Sequence, residues 1–229
     1  MTLNADPITA IIDLIRLVRR DDRRTVVAIA GPPGSGKSTL ATDLVEALSR
    51  RYGSGKVALM PMDGFHLDNE VLEARGMANI KGAPQTFDVN GFISLVSNVR
   101  CKEGDLSYPL FDRALDKTVP DGGRLAADAQ IIVVEGNYLL LETGVWPALR
   151  QMFDATIMLS APVEVLRMRL VARWLEFGLP QDAAVARADG NDMVNARTVI
   201  ENSAVADLTI ELSGLRTKTE TIQQEGLQC

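Results

Sequence analysis

The chain has 229 residues, 46% of them hydrophobic, which is enough to bury the core of one α/β domain. Its 24 basic and 30 acidic side chains give a net charge of −6, which argues against a broad nucleic-acid-binding surface. No apolar run reaches the ~18 residues that a membrane span requires, and the first residues lack the basic start of a signal peptide. With only two cysteines, these features predict a cytoplasmic protein without nucleic-acid or membrane partners.

Short apolar runs alternate along the chain with segments of helical spacing. A first helix is predicted from the N-cap and proline pair Asp6-Pro7 to Val18. Buried strands are predicted at 25–30, 57–62, 130–134, 155–159 and 207–212. Helices are predicted at 38–50, 67–74, 90–101, 144–151, 162–177, 181–189 and 192–203, and a polar tail at 217–229. This alternation predicts one α/β domain over residues 1–229, with a mainly parallel five-stranded sheet and helices on both faces.

A glycine-rich loop directly follows the first strand and matches the pattern G-x-x-x-x-G-K-[ST]. The predicted nucleotide-binding residues are Gly31, Pro32, Pro33, Gly34, Ser35, Gly36, Lys37, Ser38 and Thr39. The glycines let backbone N–H groups point at phosphate oxygens, and the helix that begins here adds its N-terminus. Lys37 is predicted to reach the β- and γ-phosphates, and Ser38 to ligate Mg²⁺. The loop therefore predicts a P-loop NTPase fold.

The second strand leads into Met62-Asp63-Gly64-Phe65-His66, which places a carboxylate and the single histidine at the carboxyl edge of the sheet. Ligands bind at that edge in open α/β sheets. Asp63 is the predicted catalytic base for a substrate hydroxyl. The alternative is that Asp63 and Gly64 only form a turn. His66 accompanies no nucleophile motif, so it is predicted to contact substrate rather than to act in catalysis.

A third apolar run, Ile131 to Val134, delivers Glu135 to the same edge. Near the P-loop this carboxylate is predicted to help hold Mg²⁺, directly or through a metal-bound water. The glycine at position 136 would let a ligand approach closely. The alternative is an ordinary surface carboxylate at the end of a strand.

A helical lid is predicted over approximately 167–192. Its first helix carries Arg167, Arg169 and Arg173, of which the last two are four residues apart and share one helix face. Arg169 and Arg173 are the predicted catalytic cations, which would offset phosphate charge when the lid closes over ATP. A solvated basic face paired with Glu164 and Glu176 is the alternative.

Together these motifs resemble the phosphoribulokinase, uridine kinase and pantothenate kinase group of P-loop kinases. The segments Met62–His66, Lys81–Asp88 and Glu135–Leu141 look most like bacterial proteins described as fructose-transport-system kinases or as uridine-kinase-like. The resemblance implies that Asp63 is the base, that Phe87 and Asp88 border the substrate, that Glu135 lies near the metal, and that the lid supplies arginines. It also makes a homodimer possible.

Three further side chains are candidates for contacts to a substrate with several hydroxyls: Tyr108, Arg113 and Asn137. Tyr108 begins a segment that resembles the nucleoside-pocket stretch of uridine kinases, but the histidine that follows in that family is missing here. Polarity alone does not choose among sugars, nucleosides and pantothenate-like alcohols.

The sequence therefore favours an ATP-dependent kinase that transfers the γ-phosphoryl group to a hydroxyl of a small molecule. A sugar or sugar-like alcohol is the first expectation, and a nucleoside or pantothenate the alternative. A GTP-dependent switch would need an N-K-x-D motif, which does not follow the P-loop. An ATP-binding regulatory protein without transfer remains a third possibility.

Overall fold

The computed structural model describes residues 6–101 and 104–212, and a five-stranded parallel sheet lies at its centre. The strands in chain order are β1 (Thr25–Ala30), β2 (Val57–Pro61), β3 (Leu106–Asp112), β4 (Lys117–Leu125), β5 (Ile131–Gly136), β6 (Ala155–Ser160) and β7 (Leu208–Glu211). The central sheet has the order β2-β5-β1-β6-β7, and β3 and β4 form a separate antiparallel hairpin. The predicted parallel sheet is confirmed.

Helices cover both faces of this sheet. They are α1 (Pro7–Val18), α2 (Lys37–Tyr52), α3 (Asn69–Ala74), α4 (Val89–Cys101), α5 (Val163–Glu176), α6 (Gln181–Arg187) and α7 (Met193–Asn202). All six residues of β1 are buried. Its Val27 and Ile29 join a core with α1 and α2, whereas Val26 and Ala28 join a second core with α4. Burial on both faces explains why this strand is a continuous apolar run.

The hairpin of β3 and β4 is the element that sequence reasoning missed. Most of its residues are half-buried or exposed, so the strands carry no apolar run. The four-residue turn after β3 is held by Asp112, whose Oδ1 accepts hydrogen bonds from the backbone N–H groups of Ala114 and Leu115. The hairpin packs against the turn that follows β2, so it forms one wall of the carboxyl edge.

The structure differs from the helix predictions in two places. Residues 144–151 were predicted as a helix, but a 3-10 turn occupies Trp146–Met152, where Pro147 lies in the first turn and lacks a backbone N–H. The predicted helices 181–189 and 192–203 are α6 and α7, joined by a π-helical turn at Ala188–Asp192. Together with α5 these helices enclose a small apolar core of their own that includes Leu166 and Met193. The predicted polar tail at 217–229 lies outside the described residues.

Across residues 6–101 and 104–212, the helices are too short or too polar to cross a bilayer.

Arg24, directly before β1, is a buried cation that closes the amino end of the sheet. Its guanidinium donates hydrogen bonds to the carbonyl oxygens of Val99, Gly104, Ala126, Ala127 and Ala129. These carbonyls belong to loops around the end of α4 and before β5. One side chain therefore satisfies backbone acceptors from two separate segments.

Replacing Arg24 with Met should lower the free energy of unfolding by about 3 kcal/mol, because several carbonyl groups lose their donor in a mostly buried place. Urea unfolding followed by circular dichroism measures this loss. The exposed neighbour Arg20 is the matched control, and Arg20→Met should change stability by less than about 0.5 kcal/mol. Equal stability of the two variants would contradict a structural role for Arg24.

Candidate active site

The P-loop connects β1 to α2 and has the backbone that phosphate binding requires. Gly34 and Gly36 have φ angles of 81° and 92°, a region that side chains other than glycine rarely adopt. Gly36 is the N-cap of α2, and no side chain caps this end of the helix. The first N–H groups of a 16-residue helix are therefore available to phosphate oxygens.

The predicted metal-binding pair meets at the start of α2. Ser38 Oγ lies 3.1 Å from Glu135 Oε2, within hydrogen-bond distance. Burial raises the pKa of Glu135, while the nearby Lys37 opposes this rise. Burial lowers the pKa of Lys37, and both Glu135 and Asp63 oppose that change. Lys37 thus stabilises the charges of both Glu135 and Asp63, whereas the two carboxylates repel each other.

These oxygen donors fit Mg²⁺. A hydroxyl and a carboxylate are hard ligands, and Mg²⁺ beside a nucleotide usually takes only one or two protein ligands along with phosphates and water. A cation next to Glu135 would also offset the desolvation of this buried carboxylate. Among the described residues no cluster of three acidic, histidine or cysteine side chains offers an all-protein metal cage.

Asp63 lies in a short 3-10 turn, Met62–Phe65, that directly follows β2. Its Oδ2 accepts a hydrogen bond of 2.7 Å from Arg113 Nη2, which lies in the hairpin turn. The hairpin approaches closely because position 64 is glycine, where a Cβ would overlap the Pro109 carbonyl group. Asp63 therefore does lie in a turn, and its side chain lines the same cavity as the P-loop.

Contacts of its ring hold His66 in place. The ring lies between Phe87 and Phe111, with centroid distances of 4.1 and 4.7 Å. Burial lowers the pKa of His66, which favours the neutral ring. Nδ1 lies 2.8 Å from the Asp63 carbonyl oxygen, and a carbonyl only accepts, so Nδ1 carries the proton. Nε2 of the neutral ring is then a hydrogen-bond acceptor.

A cavity of about 480 Å³ joins these groups at the carboxyl edge of the sheet. Twelve of the residues predicted for the site line it: Pro33, Gly34, Gly36, Lys37, Ser38, Thr39, Asp63, His66, Arg113, Glu135, Asn137 and Arg173. Gly31, Pro32 and Ser35 complete the P-loop as buried residues. The structure therefore brings the predicted nucleotide, metal and base residues into one space.

Three predicted substrate residues lie elsewhere. Tyr108 is buried, and its hydroxyl donates to the Leu59 carbonyl oxygen at 2.7 Å. Phe87 is buried against His66 and Trp146, so it supports a cavity residue without lining the cavity. Asp88 is exposed and caps α4, because its Oδ1 accepts a hydrogen bond from the Gly91 N–H. In this structure the three side chains support the fold and do not line the cavity, and their contact with substrate stays a prediction.

The two lid arginines also have different positions. Arg169 Nη1 donates to the carbonyl oxygens of Gly34 and Ser35, at 3.2 and 3.4 Å, and Arg169 does not line the cavity. Arg173 does line the cavity. Burial lowers the pKa of Arg173, and Asp192 opposes this. The prediction that both guanidinium groups point together into the site is corrected: α5 directs only Arg173 there.

The predicted lid contributes several cavity residues that are not among the predicted site residues. Trp174 lines the cavity, and its Nε1 donates to Asp192 Oδ2 at 2.6 Å. Arg173 Nη2 lies 3.4 Å from the same oxygen, so buried Asp192 positions both side chains. Arg187 and Phe177 also line the cavity. These residues lie in separate elements and form no contiguous motif in the sequence. Only the packing of α5 against the π-helical turn brings them together.

Comparison with known proteins indicates the class to which this chain belongs. No family model matches the chain. The uncharacterized protein YggC of Escherichia coli strain K12 is 38% identical over 192 residues, 83% of this chain and 79% of the relative. A Schizosaccharomyces pombe protein named "Putative uridine kinase" is 35% identical over 211 residues, 89% of this chain and 90% of the relative. A solved structure described as a "putative fructose transport system kinase", from Silicibacter sp. TM1040, is 42% identical, covers 90% of this chain and 100% of that one, and has a TM-score of 0.85.

The parallel sheet, the P-loop and the side chains around the cavity define a P-loop kinase. With relatives of this identity and coverage, the chain belongs to the uridine kinase-like family of P-loop kinases, and it is an ATP-dependent small-molecule kinase.

Substitutions of Asp88 test whether this residue caps α4 or contacts the substrate. Asp88→Ala should lower the free energy of unfolding by about 1 kcal/mol, the typical weight of an N-cap, whereas Asp88→Asn keeps a capping oxygen and should change it little. Urea unfolding measures both values. Mg·ATP turnover should be normal in Asp88→Asn, and a large loss of activity at normal stability would place Asp88 at the substrate after all.

Proposed function

We propose that the protein transfers the γ-phosphoryl group of ATP to a hydroxyl of a polyhydroxylated small molecule, a sugar or sugar-like alcohol. The observation that carries this proposal is the convergence of the P-loop, Asp63 and hydrogen-bond acceptors on one cavity. Bond formation joins the acceptor oxygen to the γ-phosphorus, the bond from that phosphorus to the β–γ bridging oxygen breaks, and the hydroxyl proton passes to Asp63.

The nucleotide half of the cavity is the P-loop with the residues around it. The N–H groups at the start of α2 and the Lys37 ammonium bind the β- and γ-phosphates. Ser38 and Glu135 would hold Mg²⁺, which would supply charge stabilisation at the phosphate oxygens. Arg169 supports this half, because it fixes two carbonyl groups of the loop that carries the phosphates.

The acceptor half of the cavity favours a ligand that donates several hydrogen bonds. Asp63 supplies carboxylate oxygens, and neutral His66 supplies Nε2 as an acceptor. Asn137 adds a buried amide oxygen that has no hydrogen-bond partner among the described residues. A buried acceptor without a donor is unfavourable, so a substrate hydroxyl at this place would stabilise the complex. Neighbouring hydroxyl groups on one molecule would satisfy all three side chains.

A nucleoside is the second candidate. Phe111 lines the cavity, and an aromatic ring is a surface on which a base can stack. The relative named as a uridine kinase also favours this acceptor, whereas the structure described as a fructose transport system kinase favours a sugar.

The central experiment measures Mg·ATP consumption and the phosphorylated product with sugars, sugar alcohols, nucleosides and pantothenate. A sugar or sugar alcohol should stimulate turnover most. Asp63→Asn should bind ATP normally and lose about 10²-fold or more in kcat, the weight of a general base. Tight ATP binding without turnover of any acceptor would instead favour an ATP-binding regulatory protein, and normal turnover in Asp63→Asn would assign the base elsewhere.

Arg173 is proposed to offset the charge that develops on the transferred phosphoryl group. Arg173→Gln should lower kcat by about 10²-fold and change the KM for ATP much less, because the contact strengthens during transfer. Steady-state kinetics measures both constants. The matched control is Arg167→Gln on the same helix, since Arg167 is exposed and paired with Asp189 outside the cavity. Equal losses in kcat and in ATP affinity would contradict this role.

A further inference from the structure

The proposed base is engaged by an arginine. Arg113 Nη2 lies 2.7 Å from Asp63 Oδ2, and among the described residues Asp63 is the acceptor of the single hydrogen bond that the Arg113 guanidinium donates. A guanidinium has five N–H donors. Most of the hydrogen-bonding capacity of Arg113 is therefore open to a ligand in the cavity that this residue lines.

The backbone that carries Arg113 is held firmly although its side chain is not. Lys81 Nζ donates to the Asp116 backbone carbonyl oxygen at 3.0 Å and to Asn69 Oδ1 at 2.6 Å, and it lies 2.9 Å from Asp116 Oδ1. These contacts tie the hairpin turn to α3. The side chain of Arg113 is 56% exposed, whereas that of Asp63 is 23% exposed. Arg113 is thus the partner that can move while its point of attachment stays fixed.

Phosphoryl transfer leaves this arginine without its counter-charge. When Asp63 accepts the hydroxyl proton it becomes neutral, and the guanidinium beside it loses its carboxylate. The other carboxylates that line the cavity have partners of their own: Lys81 for Asp116, Trp174 and Arg173 for Asp192, and Ser38 for Glu135. Arg113 also occupies Asp63 Oδ2, one of the two carboxylate oxygens that could accept the hydroxyl proton. Both problems disappear if the acceptor brings an anion to Arg113.

We propose that the acceptor carries a carboxylate or phosphate group in addition to the hydroxyl that is phosphorylated, and that Arg113 binds this anion and thereby releases Asp63. The inference rests on the proposed kinase function and narrows its acceptor to anionic polyhydroxylated molecules. Arg113 is then the specificity-determining residue, because a neutral acceptor of the same shape leaves the guanidinium on Asp63.

Matched acceptor pairs that differ in the anionic group test this inference. The pairs are D-gluconate with D-glucitol, pantothenate with pantothenol, and D-ribose 5-phosphate with D-ribose. The anionic member of the productive pair should have a kcat/KM about 10-fold to 100-fold higher, the range expected for a hydrogen bond between charged groups. The first two pairs report on a carboxylate and the third on a phosphate, so the productive pair identifies the anion.

Variants of the hairpin decide whether Arg113 causes the preference. Arg113→Gln should reduce the ratio within the productive pair to near 1, and Arg113→Lys should retain part of it. Arg124→Gln is the matched control, because Arg124 is an exposed arginine of the same hairpin that does not line the cavity. A neutral acceptor that is preferred, or an unchanged ratio in Arg113→Gln, would overturn the inference. Equal losses for both members would also overturn it, because they would place Arg113 on the transferred phosphoryl group.

A binding measurement separates failure of this inference from failure of the proposed kinase function. Protein with ¹⁵N-labelled arginine is saturated with Mg²⁺ and a non-hydrolysable ATP analogue, and the guanidinium signal missing in Arg113→Gln identifies Arg113. D-gluconate, pantothenate or D-ribose 5-phosphate should shift this signal saturably, and the neutral counterparts should not. If no anion shifts it, the inference is wrong even where turnover occurs. A shift without turnover of any acceptor would count against the kinase proposal alone.

Discussion

The parallel pairing of β1, β5 and β2 is the constraint on which the site depends. In this register Glu135 lies beside Ile29 of β1 on one side and Pro61 of β2 on the other. Each strand continues directly into a functional segment, the P-loop after β1 and the turn with Asp63 after β2. Because parallel strands end at the same edge, one set of backbone hydrogen bonds brings the P-loop, the proposed metal-binding carboxylate and the proposed base together.

The buried charged residues of this arrangement depend on one another. Glu135 and Lys37 are each unfavourable alone away from water, yet each opposes the pKa shift that burial imposes on the other. A similar pair lies in the predicted lid. Asp192 opposes the lowering of the Arg173 pKa by burial and also accepts a hydrogen bond from Trp174. Removal of one member would leave its partner as an isolated charge in a partly desolvated cavity, so neighbouring residues of the site constrain each other.

The hairpin and the predicted lid each contribute an arginine to the cavity. The hairpin carries Arg113 to the base, and its close approach depends on glycine at position 64. The lid carries Arg173 to the same space from α5. Between them, Asn191 of the π-helical turn donates to the Lys81 carbonyl oxygen at 2.8 Å, which connects the lid to the loop that anchors the hairpin. Acceptor and nucleotide sides are therefore linked through short polar contacts.

The sequence by itself determined the P-loop, the parallel sheet and the strand-end positions of Asp63 and Glu135, because these depend on local patterns: a contiguous motif, apolar runs and strand order. Only the tertiary structure decided the positions of Asp88, Tyr108 and Arg169, each of which has a backbone hydrogen-bond partner and does not line the cavity. The hairpin was missed because its half-exposed strands lack an apolar run, and the Arg113–Asp63 contact joins residues fifty positions apart. Local motifs can be identified from the order of residues, whereas contacts between distant side chains depend on packing.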